Sequence, residues 1–234
     1  MKMFNGKMKA VTFSYDDGTV QDKRLLDIFN KYGLKATFNL NSELLGKKRN
    51  ITVDGVDICH DKIEPQDIRH IYEGHEIASH TLTHPRLPDI SDDGEVIRQV
   101  ETDRLRLSEL AGYEVVGFAY PCGGKNCDSR VSKLIRENTG IKYCRTIISN
   151  HGFERQENLY EFNPTVHHHR EWDKMYELAE KFIKLSPDTP SVFYIWGHSF
   201  EFDIRNDWER FEDFCRMISG RSDIYYGTNK DVLL

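Results

Sequence analysis

Five side chains of the types used in metal-dependent hydrolysis occur at three separate places in the sequence. They are Asp16 and Asp17 in TFSYDDGT, His80 and His84 in SHTLTHP, and His198 in YIWGHSFEFD. Two imidazoles with one carboxylate suit zinc, cobalt, nickel or iron and leave positions for water. A second carboxylate can then take a proton from water, and a further histidine can protonate a leaving nitrogen. The residue types therefore indicate hydrolysis of an amide or a related bond.

Each of these signals alone also has an ordinary structural explanation. Asp-Asp-Gly is a common turn sequence, and HxxxH arises by chance in a chain with ten histidines. A single histidine such as His198 is often a core or surface residue. The functional interpretation therefore depends on where the three places fall in the fold.

Short β-branched and aromatic runs alternate with amphipathic helical stretches along the chain. Strands are predicted at 11–15, 36–40, 76–79, 115–120, 142–147, 191–196 and 224–226, and helices at 21–32, 65–72, 95–110, 129–138, 171–185 and 207–218. Segment 47–62 is predicted to be an inserted loop or a small hairpin. This alternation favours a parallel sheet. The sheet could be a closed or nearly closed barrel, or it could be an open sheet. In either case the residues after the first, third and sixth strands meet at the carboxyl ends of the strands, where such folds carry their sites.

The motifs resemble those of the polysaccharide deacetylases, the NodB-homology family also called carbohydrate esterase family 4. TFSYDDGT is similar to the first motif, TFDDG, and SHTLTHP to the second, H(S/T)xxH. FAYPCGG is similar to the third, usually FRPPYG, and FYIWGHSFEFD occupies the place of the fifth. The resemblance extends from about residue 8 to residue 226.

This resemblance implies an α/β fold, a distorted (β/α)7 barrel of the NodB type, with residues 1–234 as one catalytic domain. It implies Asp16 as the general base and His198 as the general acid. The metal ligands that it implies are Asp17, His80 and His84. The family uses a divalent metal, for which zinc is expected and cobalt or nickel are alternatives. Its usual reaction removes acetyl groups from N-acetylglucosamine units.

Two departures from the family pattern affect the proposed base. The third motif's arginine, which in the family holds the catalytic aspartate, aligns with Ala119, and its tyrosine aligns with Cys122. The fourth motif is replaced by KYCRTI. We hypothesise that Arg145, near the end of the predicted strand 142–147, supplies the missing positive charge to Asp16. A carboxylate beside an arginine stays ionised, as a base must be.

Several further residues receive secondary predictions. Thr81 is implied to brace the ligand loop, and either Glu201 or Asp203 is a candidate to orient or charge His198. His167–His169 is expected to be a solvated or partly buried segment, with one of its histidines lining the substrate cleft as the alternative. Three other histidines without partners in the sequence are expected at the surface, namely His60, His70 and His75.

Composition excludes some other classes of function. The chain has 38 acidic and 32 basic residues, a net charge of −6, which argues against a generally cationic nucleic-acid or membrane binder. No apolar run is long enough to span a bilayer. The first residues, MKMFNGKMKAVTFSYDDG, lack the apolar region of a secretory signal, so a cytoplasmic location is expected.

The expected function is therefore metal-dependent deacetylation of an N-acetylated sugar or oligosaccharide. One alternative is hydrolysis of another C–N bond, as in a cyclic imide or ureide. The other is a catalytically inactive carbohydrate-binding protein, which the missing arginine of the third motif favours. The sequence leaves the oligomeric state open.

Overall fold

The computed structural model describes residues 4–234 and contains one large sheet surrounded by helices. Its strands are β1 (Lys9–Asp16), β2 (Ala36–Leu40), β3 (Asn50–Val53), β4 (Val56–Cys59), β5 (Glu76–Ser79), β6 (Gly117–Ala119), β7 (Tyr143–Arg145), β8 (Val166–His167), β9 (Ser191–His198) and β10 (Ile224–Tyr226). Its helices are α1 (Asp22–Tyr32), α2 (Ile68–Ile71), α3 (Asp93–Ala111), α4 (Ser129–Asn138), α5 (Trp172–Lys184), α6 (Glu201–Arg205), α7 (Trp208–Ile218) and α8 (Asn229–Leu233).

All strand pairs of the large sheet are parallel, in the order β7-β6-β5-β2-β1-β9-β8, and β10 pairs with the first half of β1. Within residues 4–234 the edge strands β7 and β8 do not pair with each other, and a parallel bridge from Arg145 to Phe162 extends the β7 edge. The sheet is thus a curled, incompletely closed barrel. The α/β class and the distorted barrel expected from the sequence are confirmed.

Most predicted elements are present, with β2, β5, α4 and β10 at the predicted bounds. The segment 47–62 contains the antiparallel hairpin of β3 and β4, one of the two forms predicted for it. The sequence analysis missed β8, α6 and α8, which are only two to five residues long. Such short elements contain too few residues to produce a detectable hydrophobic period.

Strand β1 lies inside the sheet, where it pairs with β2, β9 and β10, and all eight of its residues are buried. A strand covered on both faces has a nearly continuous apolar sequence, and KAVTFSYD approaches this pattern. Helix α1 packs Leu25 and Phe29 inward and ends at Gly33, whose φ of 65° closes the helix in the left-handed conformation. Among the described helices, none combines the length and apolar character needed to cross a bilayer.

An aromatic cluster fixes the helices against one face of β1. The Phe211 ring of α7 lies 4.6 Å from Phe202, 5.9 Å from Phe29 and 6.3 Å from Tyr15, measured between ring centroids. Phe211 is fully buried. The cluster therefore couples α1, α6 and α7 to the strand that carries the aspartate pair.

We expect Phe211→Ala to destabilise the protein by about 3–5 kcal/mol, because it leaves a cavity among these rings. Urea unfolding of the variant measures this cost. Leu105→Ala is the matched control, since Leu105 is 53% exposed and should change stability by about 0.5 kcal/mol or less. Equal effects of the two substitutions would contradict this description of the core.

Candidate metal and acid–base site

The parallel register brings the chemically active residues to one edge of the sheet. Asp16, the last residue of β1, is opposite Asn39 of β2 on one side and His198 of β9 on the other. His80 follows directly after β5, and Arg145 is the last residue of β7. Positions far apart in sequence thus meet at the carboxyl ends of the strands, as expected for a parallel sheet.

Asp17, His80 and His84 form a group of potential metal ligands. One ligand atom from each residue lies within 4.8 Å of the others. The Nδ1 atom of His80 is 2.7 Å from the carbonyl oxygen of Ala119, to which it can donate, so Nε2 is left to face the group. The Nε2 atom of His84 lies 3.7 Å from Oδ1 of Asp17.

The protonation states of these residues suit metal binding. Burial lowers the pKa of His80 to about 4 and also lowers the pKa of His84, so both imidazoles are neutral at pH 7. Burial raises the pKa of Asp17, but Lys62 and His60 outweigh it and hold this pKa well below its usual range. Two neutral imidazoles and one carboxylate match the donor set of a divalent metal such as zinc.

The ligand loops have a strained backbone. Positive φ angles occur at Asp17 (82°), Thr81 (70°), His84 (63°) and Cys122 (69°), a conformation that is uncommon for residues other than glycine. The Oγ1 atom of Thr81 accepts a 3.0 Å hydrogen bond from the amide of His84, which fixes the turn between the two histidines. Such strain is concentrated at functional sites, where it directs side chains toward one point.

Asp16 is held by a buried guanidinium. Nη2 of Arg145 donates to both carboxylate oxygens, at 2.7 and 2.5 Å, and Nδ2 of Asn39 donates to Oδ1 at 2.7 Å. Arg145 is completely buried and its guanidinium lies 4.3 Å from the centre of the Trp196 ring. Arg145 on β7 thus contacts Asp16, as hypothesised for a chain that lacks the third-motif arginine.

His198 faces the same edge and is paired with Glu201. Its Nδ1 lies 3.3 Å from Oε1 of Glu201, and its amide donates to Oε2 at 3.0 Å. Burial alone lowers the pKa of His198, but Glu201 outweighs it and raises this pKa to about 9. Asp203 bonds instead to Gln21 and Trp208. Of the two carboxylates considered from the sequence, Glu201 is therefore the one that contacts His198.

Two further imidazoles surround Glu201. The Nε2 atoms of His167 and His168 lie 3.5 and 3.6 Å from its carboxylate oxygens. Nδ1 of His167 accepts from the amide of Arg170, so Nε2 of the neutral ring carries the proton and faces Glu201. Although burial raises the pKa of Glu201, the imidazoles of His167 and His198 hold it well below its usual range.

Several histidine predictions are wrong. His167–His169 is buried because β8 pairs with β9. His75 is buried against Phe29 and Phe38. His60 is also buried.

His60 and Lys62 are functional-site neighbours that the sequence analysis missed. Nε2 of His60 lies 3.3 Å from Oδ2 of Asp17, and Nζ of Lys62 donates to the Asp17 carbonyl at 2.7 Å. Nothing in the polar segment 47–62 marks these two residues in the sequence, because their partner is far away in the chain.

A cavity of about 180 Å³ opens beside these groups. Asp16, His80, His84 and His198 form its reactive side. The rest of its lining is largely aromatic or apolar, apart from one arginine, and consists of Tyr120, Cys122, Gly123, Ile147, Arg170 and Trp196. The cavity has room for an acyl group and part of the molecule that carries it.

Comparison with known proteins identifies similar sequences and folds. The family model "Polysaccharide deacetylase" matches residues 5–144. A Bacillus cereus peptidoglycan-N-acetylglucosamine deacetylase is 30% identical over 130 residues, which are 55% of this chain but only 41% of that protein.

Two solved structures share the fold at low sequence identity. A putative polysaccharide deacetylase from Mycobacterium smegmatis has a TM-score of 0.71 and 17% identity, covering 100% of this chain and 91% of that one. A family 4 acetyl xylan esterase from Clostridium thermocellum was solved with a cobalt ion. It has a TM-score of 0.58 and 16% identity, and the match covers 95% of this chain and 89% of that one.

We expect Arg145→Met to destabilise the protein by about 3–5 kcal/mol, because the Asp16 carboxylate would remain buried without its partner. In the double variant Asp16→Asn/Arg145→Met the cost should be clearly smaller than the sum of the two single costs. Urea unfolding of the four proteins gives the coupling. Additive costs would show that the two residues are energetically independent.

We expect Glu201→Gln to lower the pKa of His198 clearly from its value of about 9, because burial is then opposed only by the weaker effects of Asp17 and Asp16. The raised pKa stabilises the fold fully below the unfolded value of about 6.5, and this contribution is lost as the pH rises through 9. Titration of the His198 ring by NMR in metal-free protein measures the shift. Asp203→Asn is the matched control and should leave the pKa of His198 unchanged; an unchanged value in Glu201→Gln would contradict the pairing.

Proposed function

Because the chain belongs to the polysaccharide deacetylase family, we propose that it is a metal-dependent hydrolase that removes acetyl groups from N-acetylated sugars or oligosaccharides. The observation that carries this proposal is the convergence at one cavity of a candidate ligand group, Asp17, His80 and His84, with Asp16 and His198. Family membership supports deacetylation in general. The substrate, the metal and the roles below are the proposal.

Asp17, His80 and His84 would hold the divalent metal, with zinc as the expected ion and cobalt or nickel as alternatives. Bound there, the metal would supply Lewis acidity, polarising the acyl carbonyl and activating a water molecule. The cobalt ion described for the C. thermocellum esterase is in keeping with a divalent ion in this fold.

Asp16 is the proposed general base and His198 the proposed general acid. Arg145 and Asn39 hold the Asp16 carboxylate in one orientation, ready to accept a proton from the attacking water. His198 has a pKa of about 9 and therefore carries the proton that the departing nitrogen needs at neutral pH. Arg145 and Glu201 act through these two residues and are positioning residues.

The size of the cavity keeps a second candidate function open. A volume of about 180 Å³ is small compared with the roughly 300–1,000 Å³ of ordinary ligand pockets, and this favours a compact substrate such as a cyclic imide or ureide. Tyr120 and Trp196 in the lining favour a sugar ring instead. An inactive carbohydrate-binding protein would need neither the Asp16 and Arg145 pair nor a protonated His198.

We expect release of acetate from N-acetylated mono- and oligosaccharides by protein reconstituted with zinc, cobalt or nickel. Asp16→Asn should lower kcat by about 10²–10⁴-fold, as loss of a general base does. A panel that also contains cyclic imides and ureides identifies the reaction. Turnover of imides alone would replace deacetylation by the second candidate, and metal binding without turnover of any compound would favour the inactive binding protein.

A further inference from the structure

Among the described residues, Arg170 is the one charged side chain of the cavity lining to which the proposed reaction assigns no role. It follows β8 and the buried His167–His169 segment, and it lines the same cavity as Asp16, His80, His84 and His198. Unlike those residues, it is solvent-exposed. Arg170 is thus the exposed member of the lining, and a part of the substrate other than the acyl group would lie near it.

The guanidinium of Arg170 has no protein partner in the described part of the chain, residues 4–234. The neighbouring acids in sequence are engaged elsewhere. Glu171 contacts Ser149 and His151, and Asp173 pairs with Arg210. Arg170 therefore has its five donors available to a ligand.

The charges around the cavity favour an anion at this position. Among the described residues Asp16 is the only carboxylate of the lining, and Arg145 pairs with it. The two carboxylates next to the lining, Asp17 and Glu201, are also paired, with Lys62 and His198. The charge of His198 is balanced by Glu201, whereas a divalent metal held by Asp17, His80 and His84 would add positive charge on the reactive side. A neutral substrate would leave the Arg170 charge unused, whereas a carboxylate would receive a planar, bidentate partner.

We propose that Arg170 is a specificity-determining residue that selects N-acetylated sugars bearing a carboxylate substituent. The inference rests on the proposed function for the reaction itself and names the class of substrate. The acyl group lies against the ligand group while the carboxylate of the same molecule lies against Arg170. The aromatic and aliphatic wall of Tyr120, Ile147 and Trp196 contacts the sugar ring between them.

The test compares N-acetylglucosamine with its 3-O-lactyl ether, which adds a carboxylate and leaves the N-acetyl group unchanged. Both are assayed with metal-reconstituted wild type, Arg170→Gln and Arg170→Lys. Wild type should have the higher kcat/KM on the carboxylate sugar by about tenfold or more, the value of one charge-assisted hydrogen bond. Arg170→Gln should remove this preference through KM while leaving the neutral sugar unchanged, and Arg170→Lys should keep part of it.

Arg205→Gln is the matched control, because Arg205 is an exposed arginine at the end of α6 that does not line the cavity. It should leave the preference unchanged. A preference that survives Arg170→Gln, or wild type that prefers the neutral sugar, would overturn the inference.

Binding measurements distinguish failure of this inference from failure of the proposed reaction. In Asp16→Asn the two sugars are titrated by calorimetry with and without the Arg170→Gln substitution. If no acetate is released by wild type but the carboxylate sugar still binds more tightly in an Arg170-dependent way, the deacetylase proposal fails and the selectivity stands. If acetate is released but neither kinetics nor binding depends on Arg170, the selectivity alone is wrong.

Discussion

The buried ion pair between Asp16 and Arg145 constrains the whole carboxyl edge of the sheet. A carboxylate that is 2% exposed and a guanidinium that is fully buried are each costly to remove from water, and the cost is offset only by close, well-directed contact. β7 and β1 must therefore stay at fixed positions although β6, β5 and β2 separate them in the sheet. The Trp196 ring beneath the guanidinium adds β9 to the same constraint.

The same constraint separates two adjacent carboxylates into different environments. Asp16 ends β1 and faces Arg145, whereas Asp17 has a φ of 82° and turns away toward His84, His60 and Lys62. A single strand end thus presents one carboxylate to a guanidinium and the next to a ligand group. The proposed roles of Asp16 as base and Asp17 as metal ligand require this division.

The sequence predicted the parts of the site that depend on strand ends and local motifs. The strands before Asp16, His80 and His198 have clear hydrophobic patterns, so their convergence follows from parallel topology. The contact between Arg145 and Asp16 was anticipated because the third motif lacks its arginine and an arginine ends a nearby strand. The catalytic and metal-binding roles of these residues stay predictions.

The rest of the site depends on contacts that no local pattern encodes. Lys62 and His60 reach Asp17 from a polar hairpin segment whose sequence is typical of an exposed loop. The burial of His167–His169 follows from β8, a strand of two residues. The role proposed for Arg170 can be inferred only from the structure, because it depends on the cavity that this residue lines and on the contacts that its neighbours make.

Zinc titration of metal-free wild type, Asp16→Asn and Asp17→Asn by calorimetry tests the division between the two aspartates most directly. The account predicts one zinc ion per chain for wild type and for Asp16→Asn, with similar affinity, and a loss of about 100-fold or more in Asp17→Asn, since this variant removes a charged ligand. Equal loss of zinc affinity in both variants, or retention in both, would contradict it.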